Sequence, residues 1–364
     1  MYLSPDTAVE AGKPSRKKPF FPVREPLSAY LRKHGRDVKL PVGYKDLLHF
    51  RTSIPLKDKR GNDTLWETCS YDLREWEFLA EKLVFIYAIL KTEGDLTFAG
   101  HLNVARIDFC RFGNSQPFRI RIVNKYNDNY DHYYIKVADA SRVYGLELEH
   151  LLSPNRITFL ADRHTLVEEH IPGIPGDVFV EQYFQDPFTN KIRLAKEFVK
   201  FNERCFVRLL GDMRSYNFVV EITPDIEDYQ YRIRAIDFDQ QSYEGRMNLY
   251  LPQFFKENNP YVDLVMRHLN RSSIEQYQVE ERTIMAYRVV AARFRLMELL
   301  NIMSADAISS SPKLLQLRSE LAAHFGAPVF ERCRSMGQLV KRQLKQTLQK
   351  NLLYIQKQTG SFRD

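Results

Sequence analysis

Five side chains in one part of the chain have the types and spacing to do chemistry. Asp212 follows the apolar lead-in Leu209-Leu210-Gly211, with Arg214 two places on and Asn217 five places on. Twenty positions beyond Asn217, the run Tyr231-Arg232-Ile233-Arg234-Ala235-Ile236 ends on Asp237, and Asp239 stands two places later. Phosphoryl transfer asks for such a set. One carboxylate takes the proton of an attacking hydroxyl, a cation meets charge on the moving phosphoryl group, and an amide with a second carboxylate holds Mg²⁺. On that assignment Asp212 is the catalytic base, Arg214 the cation, and Asn217 and Asp237 the metal ligands. Asp239 adds a carboxylate to the metal or only a turn hydrogen bond. Taken singly, these residues have ordinary uses too, since a loop aspartate often caps backbone N–H groups.

The elements that must deliver these residues can be read from periodicity. Asn190 to Leu209 carries Ala195, Phe198, Val199, Cys205, Phe206 and Leu209 on one side, an amphipathic helix whose end leads to Asp212. Phe218-Val219-Val220 and Tyr231 to Ile236 read as a hairpin, which brings Asn217 and Asp237 together. Upstream, Val104 to Phe109 and Phe118 to Val123 alternate apolar with polar, as half-buried strands do. The link Arg111-Phe112-Gly113-Asn114-Ser115-Gln116-Pro117 holds one glycine, so its N–H groups have few conformations for wrapping phosphates. It reads as a hairpin turn as readily as a phosphate clamp.

In Tyr133-Tyr134-Ile135-Lys136-Val137-Ala138 a lysine sits inside an apolar strand. Burying it is costly without an anionic partner, and a solvent-facing place at a sheet edge is the alternative. The helix Ser141 to Leu152 carries Glu147 and Glu149, which point to different faces. Two further strands, Arg156 to Leu160 and Thr165 to Ile171, run into the rigid-then-flexible Pro172-Gly173-Ile174-Pro175-Gly176-Asp177. Towards the N-terminus, Thr64 to Lys91 reads as helix, because Trp66, Leu73, Trp76, Leu79, Leu83 and Ile86 recur at helical intervals. Before it lies a polar, basic, proline-punctuated tail containing Ser15-Arg16-Lys17-Lys18. Ser273 to Met303, Pro312 to Phe325 and Val329 to Gln358 are patterned as helices.

Asp212-x4-Asn217 followed by Ile236-Asp237-Phe238-Asp239 resembles the catalytic loop and metal-binding motif of the protein-kinase-like fold. It is closest to the aminoglycoside/choline phosphotransferase branch, whose loop reads His-Gly-Asp-x4-Asn. The resemblance implies an α+β, two-lobed protein-kinase-like fold with a β-rich N-lobe, a helical C-lobe and extra helices at both ends. Residues 1–95 would be a basic tail with an accessory helical segment, 96–171 the N-lobe and 172–364 the helical C-lobe. By the same resemblance Lys136 holds the α- and β-phosphates of ATP, with Glu147, four before Leu151, or else Glu149 as its ion-pair partner. The peptide groups of Glu169, His170 and Ile171 would be the hinge that reads adenine.

The chain departs from the pattern at two places. Gly211 stands where regulated protein kinases have the arginine that receives a phosphorylated loop, which favours the small-molecule branch. Leu210 replaces the histidine usual in both branches, removing a hydrogen bond that braces the loop. The activity implied is an ATP- and Mg²⁺-dependent phosphotransferase acting on a hydroxyl-bearing small molecule. The alternative is a pseudokinase that binds nucleotide or a partner without turnover.

Composition is compatible with these readings and adds little. With 364 residues and 44% apolar content the chain can bury a large core. Its net charge of +7 suits an anionic ligand but does not choose between nucleotide, nucleic acid and membrane surface. A nucleic-acid partner has only charge behind it and is not expected. The four cysteines, Cys69, Cys110, Cys205 and Cys333, are scattered as reduced thiols would be. The apolar run Leu83 to Leu90 is too short to cross a bilayer. No membrane insertion is expected, and the cytoplasm is the expected compartment.

Overall fold

The computed structural model describes residues 18–58, 61–92, 97, 99–112, 115–226 and 228–359. The basic residues Arg16 and Lys17, and Gly113 with Asn114 of the candidate clamp loop, lie outside the described residues.

The chain begins with helix α1 (Glu25–Lys33), strands β1 (Thr52–Lys57) and β2 (Asp63–Ser70), and helix α2 (Leu73–Thr92). Strands β3 (Leu102–Phe109), β4 (Phe118–Asn124) and β5 (Tyr130–Val137) lead to helix α3 (Ala140–Leu152). Then come β6 (Phe159–Asp162), β7 (Thr165–Glu169), the short β8 (Ile174–Pro175), α4 (Gly176–Tyr183) and α5 (Lys191–Arg208). After β9 (Phe218–Pro224) and β10 (Tyr229–Ala235) the rest is helical: α6 (Asn259–His268), α7 (Arg271–Ala291), α8 (Arg293–Ala305), α9 (Ser311–Phe325) and α10 (Met336–Thr359). The architecture is mixed α/β and divides into two compact units.

The first unit is built mainly of Val38–Val137 and Leu160–His170. Its antiparallel seven-stranded sheet has the order β1-β2-β3-β4-β5-β7-β6. Helix α2 supplies Leu79, Leu83, Ile86 and Leu90 to a core shared with Ile107, Phe118, Ile120, Ile135 and Val167. The Tyr133 hydroxyl donates to the Leu83 carbonyl at 2.9 Å, tying strand to helix. The helix expected from Thr64 begins later. Residues Thr64 to Ser70 belong to β2, paired with β1 in the register Ile54↔Thr68. Threonines and a tryptophan suit a pleated surface, and the first helical bond runs from Trp76 N–H to the Asp72 carbonyl at 2.7 Å. Helix α2 is part of this unit's core.

The second unit comprises Phe21–Asp37, Ala138–Phe159 and Ile171–Asp364, and contains the small sheet β10-β9-β8. Asn190 caps α5 by accepting the Arg193 N–H at 3.0 Å. Leu209, at φ 55°, ends α5 in the left-handed region and turns the chain toward Asp212. Helix α3 is the buried element of the unit: every residue except His150 is buried. A helix buried all round cannot leave charges unmet. Arg295 meets Glu147, and Arg208 meets Glu149. Among the described residues, no helix is long and apolar enough to cross a membrane.

Candidate functional site

The loop after α5 is fixed by its backbone before any side chain is considered. Leu210 forms an isolated antiparallel bridge with Gln241. Gly211 N–H donates to Gln240 O at 3.2 Å and Asp212 N–H to Leu249 O at 3.1 Å. A Cβ on Gly211 would meet Gln240 O at 3.2 Å and the Tyr250 ring at 3.3 Å, so a larger residue there needs these neighbours to give by a few tenths of an ångström. Leu210 has no polar side chain to brace the turn. The brace comes from the opposite side: Gln241 Nε2 donates to Arg208 O at 2.7 Å and Leu209 O at 3.1 Å.

Asp212 itself has φ 58°, a left-handed conformation that aspartate tolerates better than most residues. Its carboxylate accepts from Arg214 Nε at 2.9 Å, and Arg214 Nη1 reaches Glu257 at 2.5 Å. Burial pushes the Asp212 carboxyl up to about 6, against Arg214, which holds it down, with Asp237 and Glu244 adding to the rise. Asn217 closes the loop twice. Its Nδ2 donates to the Asp212 carbonyl at 2.7 Å, and its own carbonyl accepts Ile236 N–H at 3.0 Å. The β9–β10 register, Phe218↔Ala235, thus sets Asn217 beside the residues that lead into Asp237.

The acidic segment is gathered by α3. Arg142 Nη1 lies 2.8 Å from Asp237 Oδ1 and 2.8 Å from Asp239 Oδ1, with the arginine side chain only 2% exposed. The Ser141 hydroxyl donates to Gln241 O at 2.8 Å, and Asp239 N–H donates back to Asp237 Oδ1 at 3.0 Å. Gly145 permits this approach, since a Cβ there would lie 3.0 Å from Phe238 Cβ and 3.1 Å from Gln241 Cβ. Sequence reasoning missed Arg142, and one signal could have found it. It sits in the first turn of α3, where a positive charge runs against the helix dipole and calls for a carboxylate partner.

The side chains that could hold a divalent ion here are Asn217 and Asp237, an amide and a carboxylate oxygen donor. Among the described residues, no three His, Cys, Asp or Glu side chains converge as a cage, so an ion here would depend on phosphate oxygens as well. Asn217 spends its amide nitrogen on the loop and keeps its oxygen as acceptor. Asp237 is 34% exposed. Asp239, 12% exposed and bonded to Arg142, fits a metal poorly.

In the first unit Lys136 is buried and donates to Glu168 Oε2 at 3.0 Å. The Tyr134↔Glu168 and Lys136↔Leu166 register makes this a diagonal pair on one face of the sheet. The carboxylates considered from sequence are engaged elsewhere, Glu147 by Arg295 and Glu149 by Arg208. Glu169 lies 3.7 Å from Lys91, the His170 ring is 3.1 Å from the Tyr134 hydroxyl, and Ile171 is buried. One of the chain's crossings between the two units falls between His170 and Ile171. The described flanks of the glycine-poor link form a hairpin end, with Cys110 N–H donating to Pro117 O at 3.0 Å.

No family description matches the chain, and no curated protein does. Among solved structures, a protein kinase domain is a weak neighbour. The crystal structure of the Rad53 kinase domain and SCD2 matches with 11% identity over 46% of this chain and 76% of that one, at a TM-score of 0.20.

Proposed function

We propose that this chain is a protein-kinase-like phosphotransferase, with the second unit's Asp212 loop moving the γ-phosphoryl group of ATP to a hydroxyl acceptor. One observation carries the reading: Asn217 joins the Asp212 loop to Ile236, the residue before Asp237, through two hydrogen bonds of 2.7 and 3.0 Å. A loop aspartate that merely capped a turn would not need its carbonyl held by an amide five residues on.

Asp212, with its carboxyl near 6, is ionised at neutral pH and basic enough to accept a proton. The acceptor hydroxyl gives its proton to Asp212 as its oxygen bonds to the γ-phosphorus. The bond from that phosphorus to the β–γ bridging oxygen breaks, and ADP leaves with the electron pair. Arg214, pinned between Asp212 and Glu257, supplies fixed positive charge beside the base. Bound Mg²⁺ would neutralise phosphate charge, with Asp237 and Asn217 as its protein ligands. Lys136 is the candidate for the α- and β-phosphates, and the peptide groups of Glu169 to Ile171 for adenine. The acceptor class favoured is a small hydroxyl compound, because Gly211 leaves no side chain there to receive a phosphorylated loop.

A second reading, a nucleotide-binding domain without turnover, is favoured by the Arg142 guanidinium on Asp237 and Asp239. The two are separated by a thermal-shift series with ATP and Mg²⁺ followed by a turnover assay. The enzyme reading expects stabilisation by MgATP and ADP release that Asp212→Ala lowers by roughly 10²–10⁴-fold with nucleotide binding retained. Binding without any turnover in the unmodified chain selects the second reading, and no nucleotide binding at all sinks both.

A further inference from the structure

We infer that the first unit carries a binding site for a phosphate-class oxyanion on the face of its sheet turned away from α2, seated on Arg121 with Arg106 and His132 on either side. The inference goes beyond the phosphotransferase reading and stands without it.

The ladder register places the three side chains in one row. Arg106 of β3 lies opposite Arg121 of β4, and Arg121 lies opposite His132 of β5. Their chain neighbours Ile107, Ile120 and Tyr133 enter the core with α2, so these three point the other way. The row continues past β7, where the His170 ring lies 5.7 Å from that of His132. Arg106 and Arg121 are like charges directly opposite each other, with Cβ atoms only about 5 Å apart, which is a destabilising arrangement.

The carboxylate beside the row does not cancel its charge. Asp108 is fully buried and meets two arginines, Arg106 at 2.7 Å and Arg119 at 2.8 Å. Three guanidiniums thus stand around one carboxylate, and Arg121 is the one left over. It lies over the Tyr130 ring at 4.0 Å, a contact that fixes its plane and takes up none of its N–H donors. Its Nε is buried and has no hydrogen-bond acceptor among the described residues.

The uncompensated charge is felt by the histidine. His132 is held down to about 4, by burial first and then by Arg119, His170 and Arg121, against Asp131. Neutral at pH 7, its imidazole still has one N–H to give to an anion. The Arg106 side chain is 26% exposed, so the row can be reached from water while remaining partly dried, where charge is screened less. A dianion with several acceptor oxygens supplies both the missing charge and the missing acceptors.

The test follows melting at pH 7.5 in inorganic phosphate against chloride of equal ionic strength. The unmodified chain should melt about 2 °C or more higher in saturating phosphate. Arg121→Gln should lose that gain, and Arg121→Lys, which keeps the charge, should keep part of it. Lys136→Met, four positions along the same face of β5, should keep it in full. The series is repeated with ADP, which tells a free anion from the phosphate of a nucleotide.

Should Arg121→Gln fail to fold, the unmodified chain decides alone. The His132 ring, followed by NMR, should titrate about one pH unit higher in sulfate than in chloride of equal ionic strength. His49, 70% exposed beside Glu75, should titrate alike in both. No Arg121-dependent gain with either phosphate or ADP would overturn the proposal. So would a gain lost in Lys136→Met and kept in Arg121→Gln, or a His132 titration that sulfate leaves in place.

Discussion

Lys136 and Arg142 stand six residues apart in sequence, are both buried and both meet carboxylates, yet the two arrangements differ in kind. Lys136 lies in a strand, and Glu168 comes from the neighbouring strand at a place set by the ladder register. Arg142 opens a helix, and its partners are 95 and 97 residues further along the chain, on a segment with no regular structure of its own. A diagonal pair on a sheet adds charge balance to strands already joined by their backbones. An arginine that reaches two carboxylates in a loop helps to give that loop its shape. The ammonium is also a point charge with rotatable donors, able to turn to an incoming phosphate, whereas the planar fork of a guanidinium keeps its directions.

That contrast should appear first and largest in stability. Arg142→Ala removes a buried guanidinium that meets two carboxylates and is expected to cost about 3 kcal/mol or more, as removal of one partner from a buried pair does. Replacing Lys136 and Glu168 together by Met and Leu removes both charges from a framework that the strands hold anyway. It should leave the melting temperature close to its starting value, because such exchanges are often neutral. Chemical denaturation of both variants measures the difference. If the double replacement destabilises as much as Arg142→Ala, the distinction between a replaceable pair and a shaping cation is wrong.

Next in size is the contact that lets Arg142 reach its partners. Gly145→Val would push branched carbon into Phe238 Cβ at 3.0 Å and into the Phe238 carbonyl at 3.2 Å. Overpacking of this kind costs typically about 1–3 kcal/mol. Gly145→Ala needs a shift of only a few tenths of an ångström and should fall below that range. A valine variant with unchanged denaturation would mean that α3 does not press on the acidic segment.

These residues also mark how far the sequence alone could be read. The helix before Asp212, the hairpin that brings Asn217 to Asp237 and the strand around Lys136 follow from local periodicity, and the structure has them as α5, β9–β10 and β5. Thr64 to Ser70 misleads because its apolar residues continue the spacing of α2, although its threonines and tryptophan belong to a strand. Pairing across long separations was the illegible part. Glu147 and Glu149 lie close to Lys136 along the chain, so either looked available, yet the arginines that take them are Arg295 and Arg208. In the sequence Arg142 is one basic residue near a helix start, and only the burial of α3 sets it apart. Gln241, which braces the loop in place of a histidine, carries no motif at all.

The third effect depends on pH. The Asp212 carboxyl rises from its ordinary 3.8 to about 6, with burial as the main cause. A raised carboxyl favours the folded state when protonated. Its contribution is therefore complete below about pH 4 and is lost as the pH climbs through 6. Asp212→Asn does not titrate, so it should be more stable than the unmodified chain by about 1–2 kcal/mol at pH 7.5, with the gap closing below pH 4. Turnover runs the opposite way, since a base works only when ionised, and should rise with pH through about 6. Equal stability of the two proteins across this range would show that Asp212 is not strained by its surroundings.

The smallest change in stability is expected at Arg214, and it is the most informative about the base. Its ion pairs with Asp212 and Glu257 involve side chains 30%, 26% and 35% exposed, where water screens most of the attraction. Arg214→Ala should therefore cost less than about 1 kcal/mol. Yet Arg214 is the group that holds the Asp212 carboxyl down against burial. Without it the carboxyl should move further up, and the midpoint of the pH–rate profile should move up with it. Arg214→Lys, which keeps the charge but not the fork, should fall between the two. A midpoint that stays in place in Arg214→Ala, while turnover drops, would mean that the arginine acts on the transferring group alone and leaves the base untouched.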